Sequence, residues 1–255
     1  MRIWVYIDGF NLYYAIRDSG CKWLNVKALV EAALPPGTQI DKVKYYTARV
    51  SGATDPDQPR RQQIYFNALR SIPEVEFFFG QFLAKTIWRP VVNLPIGDRV
   101  ISNGSLQTML PSGNYAVAHD PSIVGNQPEI LTVGKYGKGN LRRQPDPNAL
   151  KAQIHAMEEK GSDVNLACHL IHDGWRNCYD SAVVISNDTD LVEPIRIVVQ
   201  ELKKPVTLLC PSSYGAAKPL AAVASSVRHI HTAHLKTSVF PNTLPGSTIS
   251  KPASW

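Results

Sequence analysis

The chain has 255 residues, 44% of them hydrophobic and 19% charged, with a formal net charge of +6. That length builds one large core, or one core with an elaboration, and no window comes near the ~18 consecutive apolar residues of a transmembrane helix. The basic balance is compatible with a polyanionic partner without selecting one.

In chain order, the N-terminal run MRIWVYIDGF passes from apolar residues straight into Asp8 with no small-residue cleavage site. It reads as a core strand over Ile3–Ile7 and not as a secretory signal. Further strands are expected at Lys42–Arg49, Val75–Phe82, Ala182–Ser186, Val206–Cys210 and Val227–Ile230. Between them, helices are expected at Asn11–Arg17, Val26–Ala33, Pro59–Arg70, Asp163–Trp175, Leu191–Leu202 and Ala216–Ala224. Alternating strands and helices with near-continuous apolar strands predict an α/β fold, a Rossmann-like three-layer sandwich around a mainly parallel sheet. Residues 86–147 break the rhythm with Gly, Pro, Asn and Ser and read as a β-hairpin-rich insertion within a domain spanning 1–236. Residues 237–255 read as a poorly ordered tail. Cys21, Cys168, Cys178 and Cys210 are widely spaced, the usage of reduced thiols in a cytoplasmic protein.

The stretch 181-SAVVISNDTDLVEP-194 delivers Asp188 and Asp190 at the tip of an apolar strand, and Asp8 ends the first strand. Asp163 opens a helix. In open α/β sheets ligands bind at the carboxyl ends of the strands, which makes these four carboxylates a candidate site. Each also has a plainer reading: Asp8-Gly9 as a tight turn, Asp163 or Ser162 as a helix cap, Asp188 and Asp190 as cap and first-turn acids. Four like charges converging on one edge call for a cation, and Mg²⁺ or Mn²⁺ suits oxygen ligands. Asn11 would hold a phosphate or a metal-bound water, or make only a helix-start hydrogen bond. Ser186 would cap the strand, the slightly favoured reading, or position substrate, and Asn187 would touch substrate.

The segments 6-YIDGFNLYY-14, 158-EEKGSDVNLA-167 and 183-VVISNDTDLVEPI-195 resemble the NYN domain family of PIN-like nucleases. The resemblance implies a PIN-like fold and a metal-dependent ribonuclease that hydrolyses RNA. It places Asp8, Asn11, Asp163, Asp188 and Asp190 in the catalytic cluster, with the four aspartates as Mg²⁺ or Mn²⁺ ligands. Asn187 departs from the glycine more usual in that stretch. The basic segment 134-GKYGKGNLRR-143 would grip RNA through Lys135, Lys138, Arg142 and Arg143, with Tyr136 stacking on a base. A solvated hairpin tip is the equal alternative for that segment. Arg60, Arg61, Lys42 and Lys44 are further candidates for gripping RNA, with surface charge the favoured reading. A non-catalytic RNA- or protein-binding module on the same fold is the alternative. No membrane partner is expected, and the fold is compatible with a homo-oligomer.

Overall fold

The apolar run near the N-terminus is a strand because its residues serve two cores at once. In β1 (Ile3–Asp8), Ile3, Val5 and Ile7 enter one buried cluster while Tyr6 enters another. Alternate side chains of a strand point to opposite faces, so a strand apolar on both belongs inside a covered sheet. The structure, a computed structural model, describes residues 1–52, 55–90, 99–102, 105–108, 151–211 and 215–253.

After β1 come α1 (Gly9–Ile16), α2 (Val26–Ala33), β2 (Lys42–Ala48), α3 (Gln58–Arg70) and β3 (Val75–Pro90). The short strands β4 (Arg99–Ser102) and β5 (Ser105–Thr108) precede β6 (Lys151–Lys160), α4 (Ser162–Trp175) and β7 (Ser181–Ile185). The chain continues through α5 (Val192–Arg196), β8 (Val206–Cys210), α6 (Lys218–Val223), β9 (Ser226–His229) and α7 (Thr232–Thr237).

Seven strands form one sheet in the order β6-β3-β2-β1-β7-β8-β9, and every neighbouring pair from β3 across to β9 is parallel. The fold is therefore α/β with a mostly parallel sheet. One buried cluster takes Leu12 from α1, Leu29 from α2, Phe66 from α3 and Leu235 from α7. The other takes Leu166 and Leu170 from α4, Ile195 from α5 and Leu220 from α6. From β1 the chain proceeds outward to β2 and β3, and from β7 outward to β8 and β9. The direction of winding thus reverses between β1 and β7, which opens a crevice at the carboxyl ends of those two strands.

The chain divides into two compact units, one of Met1–Phe82 with Glu159–Trp255 and one of Leu83–Glu158. In the second, β4 and β5 pair antiparallel, Arg99 opposite Thr108 and Ser102 opposite Ser105. Of the hairpin pieces anticipated there, Arg99–Ile101 falls within β4, while 115–118 and 130–133 lie outside the described residues. No helix among the described residues is long and apolar enough to cross a membrane, and Cys21, Cys168 and Cys178 are free thiols.

Two expectations are corrected. The helix expected over Leu191–Leu202 is a 3-10 turn (Thr189–Leu191), then α5, then a π-helical turn (Ile197–Glu201). Its start is set by Asp188, whose side chain accepts from the Asp190 amide and tightens the first turn. The C-terminal segment, expected to be poorly ordered, packs on the core as far as Ile249. The indole of buried Trp23 donates to the Pro241 carbonyl at 2.9 Å, and the Phe240 amide donates to the Trp23 carbonyl at 2.9 Å. Phe240 and Leu244 are buried beside it.

Candidate functional site

Strand register builds the centre of the site. Ile7 of β1 lies beside Ile185 of β7, so the next residues, Asp8 and Ser186, come together at the sheet edge. The buried Ser186 hydroxyl donates to Asp8 Oδ2 at 3.0 Å and accepts from the Asp188 amide at 3.1 Å. Asp8 Oδ1 accepts from the Asn11 amide at 2.9 Å, which makes Asp8 the N-cap of α1. The Asn11 side-chain carbonyl in turn accepts from the Asn187 amide at 3.0 Å. Asn187 ties this edge to the segment before α6, accepting from the Ala217 amide at 2.8 Å and donating to the Gly215 carbonyl at 3.2 Å.

Asp163 reaches the same edge from α4, and glycines let it do so. A Cβ on Gly80 of β3 would stand 2.7 Å from the Lys160 carbonyl and 3.1 Å from the Ser162 amide, so β3 lies against the turn that opens α4. Gly161, with φ +100°, supplies the left-handed turn before the helix. The half-buried Asp163 carboxyl is raised to about 6, first by burial and then by the charges of Asp8, Asp188, Glu159 and Asp190. Burial also raises Asp8, and the hydrogen bonds from Asn11 and Ser186 pull against it. Asp190 is exposed and contributes its amide to Asp188.

Beside the carboxylates stands an aromatic step. Phe10 meets Phe82 edge-on at 5.6 Å between ring centroids and stacks on Tyr14 at 6.5 Å, and Tyr14 is 61% exposed. A second polar group lies within the other core, where sequence reasoning placed only surface charge. Lys44, read as a surface lysine, is buried and donates to Asp173 Oδ2 at 2.6 Å, and the Tyr6 hydroxyl donates to the same oxygen at 2.8 Å. The Lys44 ammonium lies 5.2 Å from the ring centroids of both Trp4 and Phe78. The signal for it was a lysine inside the all-buried strand pattern of β2 and an aspartate on the inward side of α4.

The site residues expected from sequence are thus distributed in three ways. Asp8, Asn11, Asp163, Asp188 and Asp190 share one edge. Ser186 and Asn187, expected to touch substrate, have their polar atoms engaged in holding that edge together. Lys135, Tyr136, Lys138, Arg142 and Arg143 lie outside the described residues. The expected Mg²⁺ or Mn²⁺ site is corrected: among the described residues, no three carboxylate, imidazole or thiol groups stand close enough to hold a metal ion. The physical reason is that carboxylate oxygens at this edge are taken up within the chain: Asp8 spends both on hydrogen-bond donors and Asp188 Oδ1 caps the turn that follows it.

No family model matches the chain. The chain is similar to a protein of Pseudomonas putida (strain DSM 28022 / S16) named 6-hydroxy-3-succinoylpyridine 3-monooxygenase HspA. The two are 26% identical over 278 residues, taking in 100% of this chain and 75% of that protein. Among solved structures, a protein of unknown function from Vibrio parahaemolyticus RIMD 2210633 superposes with a TM-score of 0.46 at 16% identity, covering 90% of this chain and 93% of that one. The expectation of a Mg²⁺- or Mn²⁺-dependent ribonuclease acting on RNA is corrected on the first of these findings. Similarity along the whole chain leads to a protein named for oxygen insertion, not for phosphodiester hydrolysis.

Proposed function

We propose that this protein is an oxidoreductase that hydroxylates a small ring already bearing a hydroxyl group, and that it acts at the edge formed by Asp8, Asn11, Asp163 and Asp188. The observation that carries the reading is the similarity, along the whole chain, to 6-hydroxy-3-succinoylpyridine 3-monooxygenase HspA. Positions 3 and 6 of a pyridine are para to one another. Removing the proton of a 6-hydroxyl group therefore drives electron density onto carbon 3, where an electrophilic oxygen would bond.

Asp163 supplies the base this requires. A carboxyl raised to about 6 is mostly ionised at neutral pH and still basic enough to accept a proton in the transition state. Phe10 and Tyr14 offer ring faces against which a planar substrate stacks. Asp8 and Asn11, locked by Ser186 and Asn187, hold the edge in one geometry. Oxygen insertion at carbon 3 consumes O₂, two electrons and two protons, and a reduced nicotinamide or flavin supplies the electrons. One oxygen atom forms the new bond to carbon 3, the bond from carbon 3 to its acyl group breaks, the other oxygen is reduced to water, and water takes up the acyl group as a carboxylic acid. The β1–α1 turn does not fit the phosphates of such a carrier, because Asp8 occupies the helix N-terminus they would take.

The finer fold assignment, a PIN-like sandwich with a β-rich insertion and a likeness to the NYN family, belongs to the same reading. It is supported by the three motifs that bring Asp8, Asp163 and Asp188 together, and one fold carries unrelated chemistries. The test is oxygen uptake by the purified chain given 6-hydroxy-3-succinoylpyridine, NADH and flavin. Substrate-dependent uptake that falls by about 100-fold or more in Asp163→Asn supports the assignment. Wild-type protein that consumes no oxygen with this or simpler hydroxypyridines sinks it.

A further inference from the structure

We infer that the crevice between β1 and β7, where a sheet of this winding seats the phosphates of a dinucleotide, is closed to phosphate in this protein. Given the oxidoreductase reading, on which this second step rests, the electron carrier is not held there and the crevice is left to the substrate. In sheets that wind both ways from a central strand, phosphate approaches the free amides that open the helix after that strand, over a glycine that leaves the backbone bare.

Each of those provisions is reversed here. The opening of α1 is already capped: Asp8 Oδ1 accepts from the Asn11 amide at 2.9 Å and places a carboxylate where a phosphate would bring its own charge. Gly9 faces the protein and not the crevice. A Cβ there would lie 2.6 Å from the Tyr46 carbonyl oxygen and 2.9 Å from the Tyr45 ring, so the missing side chain makes room for β2 and not for a ligand. The surrounding wall has the wrong sign. Asp188 and Asp190 stand at the tip of β7, and their charges, with that of Asp8, bear on Asp163. Among the described residues no lysine or arginine forms an ion pair with Asp8, Asp163, Asp188 or Asp190. Each carboxylate within a Debye length weakens the binding of a phosphate by about three- to tenfold.

The experiment is titration of the full chain with FMN, FAD and NADH, followed by ligand fluorescence and calorimetry, beside an Asp188→Asn/Asp190→Asn variant. We expect no saturable wild-type binding up to about 100 µM, and an affinity for FMN about tenfold or more higher in the variant. Silence of both proteins also keeps the crevice closed and assigns the closure to Asp8 and the packed Gly9. Wild-type binding that the substitutions leave unchanged puts the carrier elsewhere and supports the inference. Saturable wild-type binding that the substitutions shift by more than about threefold overturns it. Since binding is read without turnover, the two ideas fail separately. An inert protein with a closed crevice sinks the oxidoreductase reading alone, and an active protein carrying its cofactor in the crevice sinks this one alone.

Discussion

Asp163 ties stability to the chemistry assigned to it. Folding raises its carboxyl from the ordinary 3.8 to about 6, so the folded protein keeps a proton that the unfolded chain releases. That contribution to stability is complete below pH ~4 and is lost as the pH rises through about 6. Asp163→Asn stays neutral throughout. It is therefore expected to melt above wild type by about 2–4 °C at pH 8, after allowance for the half-exposed setting, and to match wild type near pH 4. Melting curves across that range check the sign, and a variant less stable at pH 8 would remove the account. The same ionisation predicts that turnover falls as the pH drops below about 6. In the other core, Lys44→Met leaves Asp173 buried with only the Tyr6 hydroxyl, at an expected cost of about 3–5 kcal/mol in denaturant unfolding. Adding Asp173→Leu should recover most of that loss, because the partnerless charge is gone. The four carboxylates of the edge were legible as residues, and capping by Asp188 was one of the readings open to it, but the choice between cap and ligand was not legible. An aspartate that caps a helix and one that holds a metal look the same in a sequence, since both need a free carboxylate after an apolar strand. Lys44 was misread because its partner lies 129 positions away.

At the scale of elements, the strands were legible where both faces are buried and nothing competes. β2, β7 and β8 fall within a residue of their expected limits, since Val, Leu, Ile and Tyr runs have no other stable use in a chain of this size. α7 was missed because its N-cap is His231, whose amide donates to the His234 ring at 3.3 Å. Ser, Thr, Asp and Asn are the usual signals for a helix start, and histidine carries none. The approach of α4 to β3 was equally hidden, since it depends on what Gly80 lacks. Gly80→Ala drives a methyl group into the Lys160 carbonyl and is expected to cost about 1–3 kcal/mol, while moving the turn that carries Asp163. Denaturation measures the first effect. A shift of the pH-rate midpoint away from about 6 reports the second.

For the molecule as a whole, alternation of strands and helices was enough to expect a two-sided parallel sheet, and the sheet has that form. The closure of its far end was not legible. Pro, Ser and Thr in the last segment look like a tail, yet Phe240 and Leu244 bury against Trp23 through backbone hydrogen bonds that no composition reveals. Phe240→Ala is expected to cost about 3–5 kcal/mol and to turn the emission of buried Trp23 toward longer wavelength. This arrangement bears on how the protein is made. β1 finds its second neighbour only when Ser181–Ile185 has been synthesised, and Trp23 is sealed only when Phe240 has followed. Until then β1 and Trp23 wait with apolar faces open. A nascent chain halted before Phe240 should therefore be a client of the holding chaperones at the ribosome exit, and one that has passed it should not.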